Sequence, residues 1–310
     1  MTISGQEILP GETRRMEVNI AKLPSHSSID ISITVSRGEK EGPVLLLSGG
    51  LHGDEINGIE IVRRMIEQKL YIPEAGTTIC IPIINVYGFI HFSRYVPDGK
   101  DVNRSFPGNK NGSLASRVAH FLMHEIIPKI DVGIDFHTGG ADRTNYPQVR
   151  GMLKDAKIEE LANAFHAPFT LHANYRPKSL RKAASKLGKK ILVYEGGESS
   201  RFDELAIQSG IDGALRVMNH LGMIQNSPAA DVENHQISRS SWIRARASGL
   251  FQSDVEYGQK VTKNQKVGYI TDPFGDFKVS IKAPAAGYVI GLNNNPILHQ
   301  GDAVMHIGIV

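Results

Sequence analysis

The chain has 310 residues, 41% of them hydrophobic and 22% charged, with a formal net charge of +3. That length supports a sizeable core and two domains, and so small a charge gives no reason to expect nucleic acid or an anionic membrane as a partner. No apolar run approaches the roughly 18 residues of a membrane span, and the opening MTISGQEILPGETRR lacks the charged-then-apolar order of a secretory signal, so the expected compartment is the cytoplasm.

Residues 16–23 and 30–36 alternate as strands do and predict an antiparallel edge. Val44 to Leu47 form a short continuous apolar run, the pattern of a strand buried on both faces, and Ser48, Gly49 and Gly50 break it. Apolar residues at Ile56, Ile59, Val62 and Ile66 then predict a helix over 57–70. A second buried strand is expected at 78–84, with the single cysteine, Cys80, inside it as a small core residue. Residues 85–111 read as a long glycine-rich loop, and long ordered loops are often functional. Ser113 opens a helix with Leu114, Val118, Phe121, Leu122 and Ile126 on its apolar side, and Pro128 stops it.

The stretch VGIDFHTGG, 132–140, repeats the earlier pattern of apolar strand, histidine and glycine turn. A helix is expected over 153–165, then the basic stretch RPKSLRKAASKLGKK, a strand at 191–195 and a helix over 205–221. This alternation predicts an α/β domain over 1–225, a mostly parallel mixed sheet with helices on both faces. Residues 224–236 form a polar linker. Beyond it short strands recur between glycines without helical periodicity, which predicts a small all-β domain over 237–310.

His52 and Glu55 lie three apart between the first buried strand and its helix, the crevice where open α/β sheets bind ligands. An imidazole nitrogen and a carboxylate oxygen make half of a tetrahedral zinc shell, and His137, at the end of a separate buried strand, supplies a third ligand. A fourth position would stay open for water, as in catalytic sites. His120 and His124 also have ligand spacing, beside Glu125, but read as ordinary helix positions. Water activation needs a proton carrier. Glu195 ends its strand directly before glycines and is favoured over Glu198. In the long loop, Arg94 can stabilise an oxyanion, Asn103 and Arg104 can clamp a carboxylate, and Asp101 can hold a ligand histidine from behind. The competing account of that loop is stabilisation by its own Asp–Arg pairs.

HGDE, DVNRSFPG, DFHTGG and YEGGE, in this order, resemble the zinc carboxypeptidase superfamily. Within it the chain is most similar to the succinylglutamate desuccinylase/aspartoacylase family, from about residue 40 to the C-terminus. The resemblance implies one zinc ion per chain held by His52, Glu55 and His137, with Glu195 as general base and acid. It implies Arg94 as carbonyl polariser, Asn103 and Arg104 as the substrate-carboxylate clamp, and Asp101 behind His52. It also implies a barrel-sandwich-like C-terminal domain that partly covers the active-site entrance. The expected activity is hydrolysis of the amide bond of a small N-acyl amino acid or N-acylated amine. A metallocarboxypeptidase acting on peptides and a non-catalytic binding protein on the same fold are the rivals. Arg143, Tyr146, Tyr175 and Arg176 are available as further substrate readers, without an assigned match. The acyl group, the amine and the oligomeric state, a homo-oligomer included, stay open. The segment IKAPAAGYVIGL resembles a biotinyl/lipoyl hammerhead, but Lys282 precedes the turn and no tip lysine follows, so no carrier role is expected.

Overall fold

In the computed structural model, which describes residues 1–309, the run Val44–Leu47 lies in a strand whose side chains leave on alternate faces. Leu45 and Leu47 enter one buried core and Leu46 the other. This strand, β5 (Lys40–Ser48), sits in the parallel centre of a large mixed sheet with β6 (Ala75–Ile81), β7 (Val132–Gly139) and β10 (Lys190–Glu198), in the order β6-β5-β7-β10. A small hairpin of β1 (Thr2–Ile3) and β2 (Gln6–Glu7) precedes the sheet. The long strands β3 (Thr13–Lys22) and β4 (Ser28–Arg37) add an antiparallel edge beside β6.

Helices cover both faces. On one side α1 (Ile56–Glu67), α4 (Ala156–Phe165) and α6 (Glu204–His220) bury Ile61, Leu161 and Ile211 with Leu45, Leu47, Phe136 and Leu192. On the other, α3 (Leu114–Phe121) and α5 (Leu180–Ser185) bury Val118 and Leu180 with Leu46, Ile79 and Ile191. The short helix α2 (Val86–Ile90) lies in the long loop. No helix among the described residues is long and apolar enough to cross a membrane.

Several boundaries differ from the sequence expectation. The second buried strand is Ala75–Ile81 rather than 78–84. The helix α1 stops at Glu67. The helix α4 begins at Ala156 because Asp155 caps it, accepting from the backbone N–H groups of Lys157 and Ile158. Past Phe121, α3 widens into a π turn over Leu122–Ile126 before a 3-10 turn containing Pro128. Two strands between β7 and β10 were not expected: β8 (Arg143–Gly151), antiparallel to β10, and β9 (Phe169–His172), parallel to β8. Pro147 hides β8, since proline argues against a strand unless it sits at an edge or bulge. Here the β8–β10 register shifts at that point.

The chain after α6 is all β. The strands β12 (Arg239–Arg244), β17 (Gly287–Asn293) and β19 (Ala303–Ile309) continue the large sheet through β8, in the order β12-β19-β17-β8. The strand β11 (His235–Ile237) pairs with β9, and β14 (Lys260–Val261) with β17. A second sheet comprises β16 (Lys278–Lys282), β15 (Lys266–Thr271), β13 (Gly249–Ser253) and β18 (Ile297–Leu298), around a core of Phe251, Val267, Ile270, Val289 and Met305. These strands pair directly with the α/β part, for Gly291 to Asn293 lie in register with Asn145 to Arg143.

Candidate metal centre and active-site cavity

His52 and Glu55 stand between the C-terminal end of β5 and the start of α1, and His137 lies near the end of the neighbouring parallel strand β7. Glycines bring these elements together. A Cβ at Gly58 of α1 would lie 2.3 Å from the Phe136 carbonyl oxygen, and one at Gly53 would lie 1.9 Å from the Gly88 carbonyl carbon. The helix therefore seats directly against β7 beside His137, and the His52 turn against α2.

The three side chains converge. His52 Nδ1 lies 2.7 Å from Glu55 Oε1, and His137 Nδ1 lies 2.6 Å from Glu55 Oε2. All three are nearly inaccessible, and among the described residues they are the one group of His, Cys, Asp and Glu able to hold an ion with three ligand atoms. Behind them, His52 Nε2 faces Asp101 Oδ1 at 3.3 Å and His137 Nε2 faces Asp135 Oδ2 at 2.8 Å. Ser48 Oγ in turn donates to Asp135 Oδ1.

Each ring faces a carboxylate, which only accepts, at both of its nitrogens, and a neutral ring carries a single proton. One nitrogen of each neutral ring would then point a lone pair at a carboxylate oxygen. Two acceptors at such distances repel unless a cation lies between them. The cluster therefore demands positive charge at its centre, as protons or as a metal ion. Burial alone would push the His137 imidazole down, but Asp135 and Glu55 outweigh it and hold it well above the usual histidine value. Burial would likewise raise the Glu55 carboxyl, but His52 and His137 hold it well below the carboxylate range. Imidazoles backed by carboxylates are the usual support of metal ligands. The donor set, two imidazole nitrogens and a carboxylate, fits zinc.

The cluster opens into a cavity of about 680 Å³. Arg94 lines it, donating through Nη1 to Glu55 Oε1 at 3.1 Å and through Nε and Nη2 to Asp101 Oδ2. Asn103 and Arg104 line it as well. The Asn103 Oδ1 accepts from the Leu180 N–H, which fixes its amide, and burial lowers the Arg104 guanidinium, with Arg176 and Arg94 adding repulsion. Glu195 faces the cavity and Glu198 does not; the nearest cation to Glu198 is Arg201, at 3.7 Å. The structure thus brings all eight sequence-selected residues to one place, Asp101 from behind His52. His120 and His124 pack against each other, on and just beyond α3, and take no part in it. Buried Cys80 is not among the residues lining the cavity, and Lys282 ends a strand opposite Lys266.

Other cavity residues escape the sequence reading. Asp135 was detectable, because positions two apart on one strand share a face with His137. Asn145 and Arg150 come from the unexpected strand β8, and both contact Glu195. Arg181 reaches the cavity from α5, and Trp242 from the C-terminal strand β12. Of the four unassigned candidates, Arg143 and Arg176 line the cavity. Tyr146 instead packs on Phe169 and Tyr257, and Tyr175 lies under Arg181. The Arg143 guanidinium carbon lies 5.7 Å over the Trp242 ring, which stacks on His306. Burial holds that imidazole down at about 3, so it is neutral.

Residues 41–221 match the family model described as the succinylglutamate desuccinylase/aspartoacylase catalytic domain. The N-alpha-acetyl-L-2,4-diaminobutyric acid deacetylase of Halomonas elongata is 29% identical over 91% of this chain and 86% of its own length. Among solved structures, the product-bound ectoine utilization protein EutE (DoeB) of Ruegeria pomeroyi superposes with a TM-score of 0.86 at 23% identity, covering 97% of each chain. The succinylglutamate desuccinylase/aspartoacylase of Rhodobacter sphaeroides gives 0.85 at 24% identity over 98% of each. At such identities the two structures show the shared fold.

Proposed function

The chain belongs to the succinylglutamate desuccinylase/aspartoacylase family, and on that premise we propose that it is a zinc-dependent hydrolase cleaving the amide bond of a small N-acyl amino acid or N-acylated amine. The deacetylase activity in the name of the Halomonas elongata relative supports this reading. The observation that carries it is the pair of imidazoles, each backed by a carboxylate and each turning Nδ1 toward Glu55 at the floor of a cavity.

Zinc bound by His52, Glu55 and His137 would act as a Lewis acid toward an acyl carbonyl and make water nucleophilic near neutral pH. Around it the chain's own groups divide the work. Glu195 takes the proton from the attacking water and passes it to the leaving nitrogen, so one carboxylate serves as base and then acid. Arg94 sits against Glu55 and donates toward the charge that builds on the carbonyl oxygen. Asn103 and Arg104 grip the substrate carboxylate, and Asp101 fixes the His52 ring. Residues 1–225 carry this apparatus, and the strands after 237 shape its entrance, where Trp242 reaches the cavity.

The test is a substrate screen. The zinc-loaded protein, offered N-acetyl, N-succinyl and longer N-acyl amino acids beside unblocked peptides, is expected to release the free amino acid from an N-acylated compound and to leave the peptides intact. Cleavage of peptides alone would move the reading to a carboxypeptidase, and binding without turnover to a non-catalytic protein.

A further inference from the structure

Glu195 is gripped at both oxygens by β8. The Asn145 Nδ2 donates to Glu195 Oε2 at 2.5 Å, and Arg150 Nη1 lies 3.1 Å from Oε1. An odd number of positions separates Asn145 from Arg150, and in an unbroken strand their side chains would leave on opposite faces. The register shows why both reach one carboxylate. Gln148 faces Glu195 but Asn145 faces Gly197, so β8 has one residue more than β10 across this step. The bulge, at Pro147, turns Asn145 to the Arg150 side.

A second constraint comes from the C-terminal strands. Asn145 is buried, and its register partner on β17 is Gly291. A Cβ at Gly291 would lie 2.9 Å from Asn145 Oδ1 and 3.3 Å from His306 Cβ. The missing side chain leaves the space that Asn145 occupies. Since a carboxylate only accepts, the amide nitrogen must face Glu195 and the amide oxygen must face Gly291.

We propose that Asn145, aimed by the β8 bulge and seated against Gly291, is a positioning residue that holds the Glu195 carboxylate in its working orientation. The C-terminal strands thereby support the catalytic group as well as the entrance. The inference rests on the reading of Glu195 as proton carrier. A carboxylate that must first accept a proton and then return it to a different atom loses much of its effect when it is free to swing, and a misplacement of about 1 Å costs about 100-fold.

In the zinc-loaded full-length protein, acting on an N-acyl amino acid from the screen, Asn145→Ala is expected to lower kcat about 10–100-fold. The KM should stay within about threefold, and zinc should be retained, since Asn145 is not one of the three residues that would hold it. In a Glu195→Gln background the same change should cost less than about twofold, because the group it positions is already disabled. Gly291→Ala should lower kcat in the same direction by a smaller factor. A crystal structure of Asn145→Ala, which needs no substrate, should show Glu195 turned from its present rotamer or spread over several. An unmoved Glu195 in that structure overturns the proposal, as does an equal cost of Asn145→Ala in both backgrounds. If Glu195→Gln is itself harmless, the reading of Glu195 fails, while the rotamer result still decides whether Asn145 holds it.

Discussion

His52, Glu55 and His137 are 3%, 2% and 5% exposed, and each ring nitrogen and each carboxylate oxygen has a partner. Arg104, Arg143, Arg176 and Arg181 line the same cavity, half-buried or exposed, and none of the four forms an ion pair among the described residues. Where each group already has its complement, the chain has committed to one chemistry. Where guanidinium groups line the cavity without an ion-pair partner of their own, their complement is left to the ligand. The contrast separates the machinery of the reaction from the choice of substrate.

The strongest way to break this comparison is to remove a ligand atom. His137→Ala takes one nitrogen from the cluster and leaves buried Asp135 with Ser48 but without its imidazole partner. Loss of an outer-shell partner alone typically costs about 10–100-fold, so this change should remove bound zinc and take activity down by more than about 100-fold. Metal analysis with circular dichroism checks it, and full metal occupancy in the folded variant would show that the cluster is not a shell.

Glu195→Gln probes the group next to the cluster. It keeps the shape but cannot take a proton, so kcat should fall by roughly 10²–10⁴-fold with zinc retained and KM little changed. Glu198→Gln, outside the cavity lining, should cost far less. If Glu195→Gln loses zinc, Glu195 belongs to the shell and the boundary between the two regions lies elsewhere.

Arg104→Ala sharpens the other side. A charge-assisted clamp on a remote carboxylate contributes to binding throughout the reaction, so KM for a carboxylate substrate should rise roughly 10–100-fold while kcat changes little. Steady-state kinetics decide it, and an unchanged KM would place the clamp on other arginines.

The cluster was legible in the sequence because its parts share a local signature. His52 and His137 each stand at the end of an apolar strand before glycines, and strand ends in a parallel sheet open into one crevice. Asp101, Asn103 and Arg104 were legible as one polar run in a loop too long to be a mere connection. The strand β8 was hidden by Pro147, which reads as a breaker until the bulge that tolerates it is seen. With β8 went Asn145, Arg150 and the hold on Glu195. Trp242 and Gly291 were hidden for another reason. They reach this region through the pairing of β17 with β8, and no local pattern encodes a register between strands so far apart in the chain. The composition change after residue 224 marked where the all-β part begins, not that its strands continue the main sheet.

The central claim is that His52, Glu55 and His137 hold one zinc ion on which hydrolysis depends. Stripping the purified protein with a chelator and titrating zinc back, while following bound metal and release of free amino acid, tests it most directly. The account predicts that activity vanishes on stripping and returns in proportion to occupancy, saturating at about one zinc per chain. Full activity in the metal-free protein, or saturation of the metal without any return of activity, would contradict it.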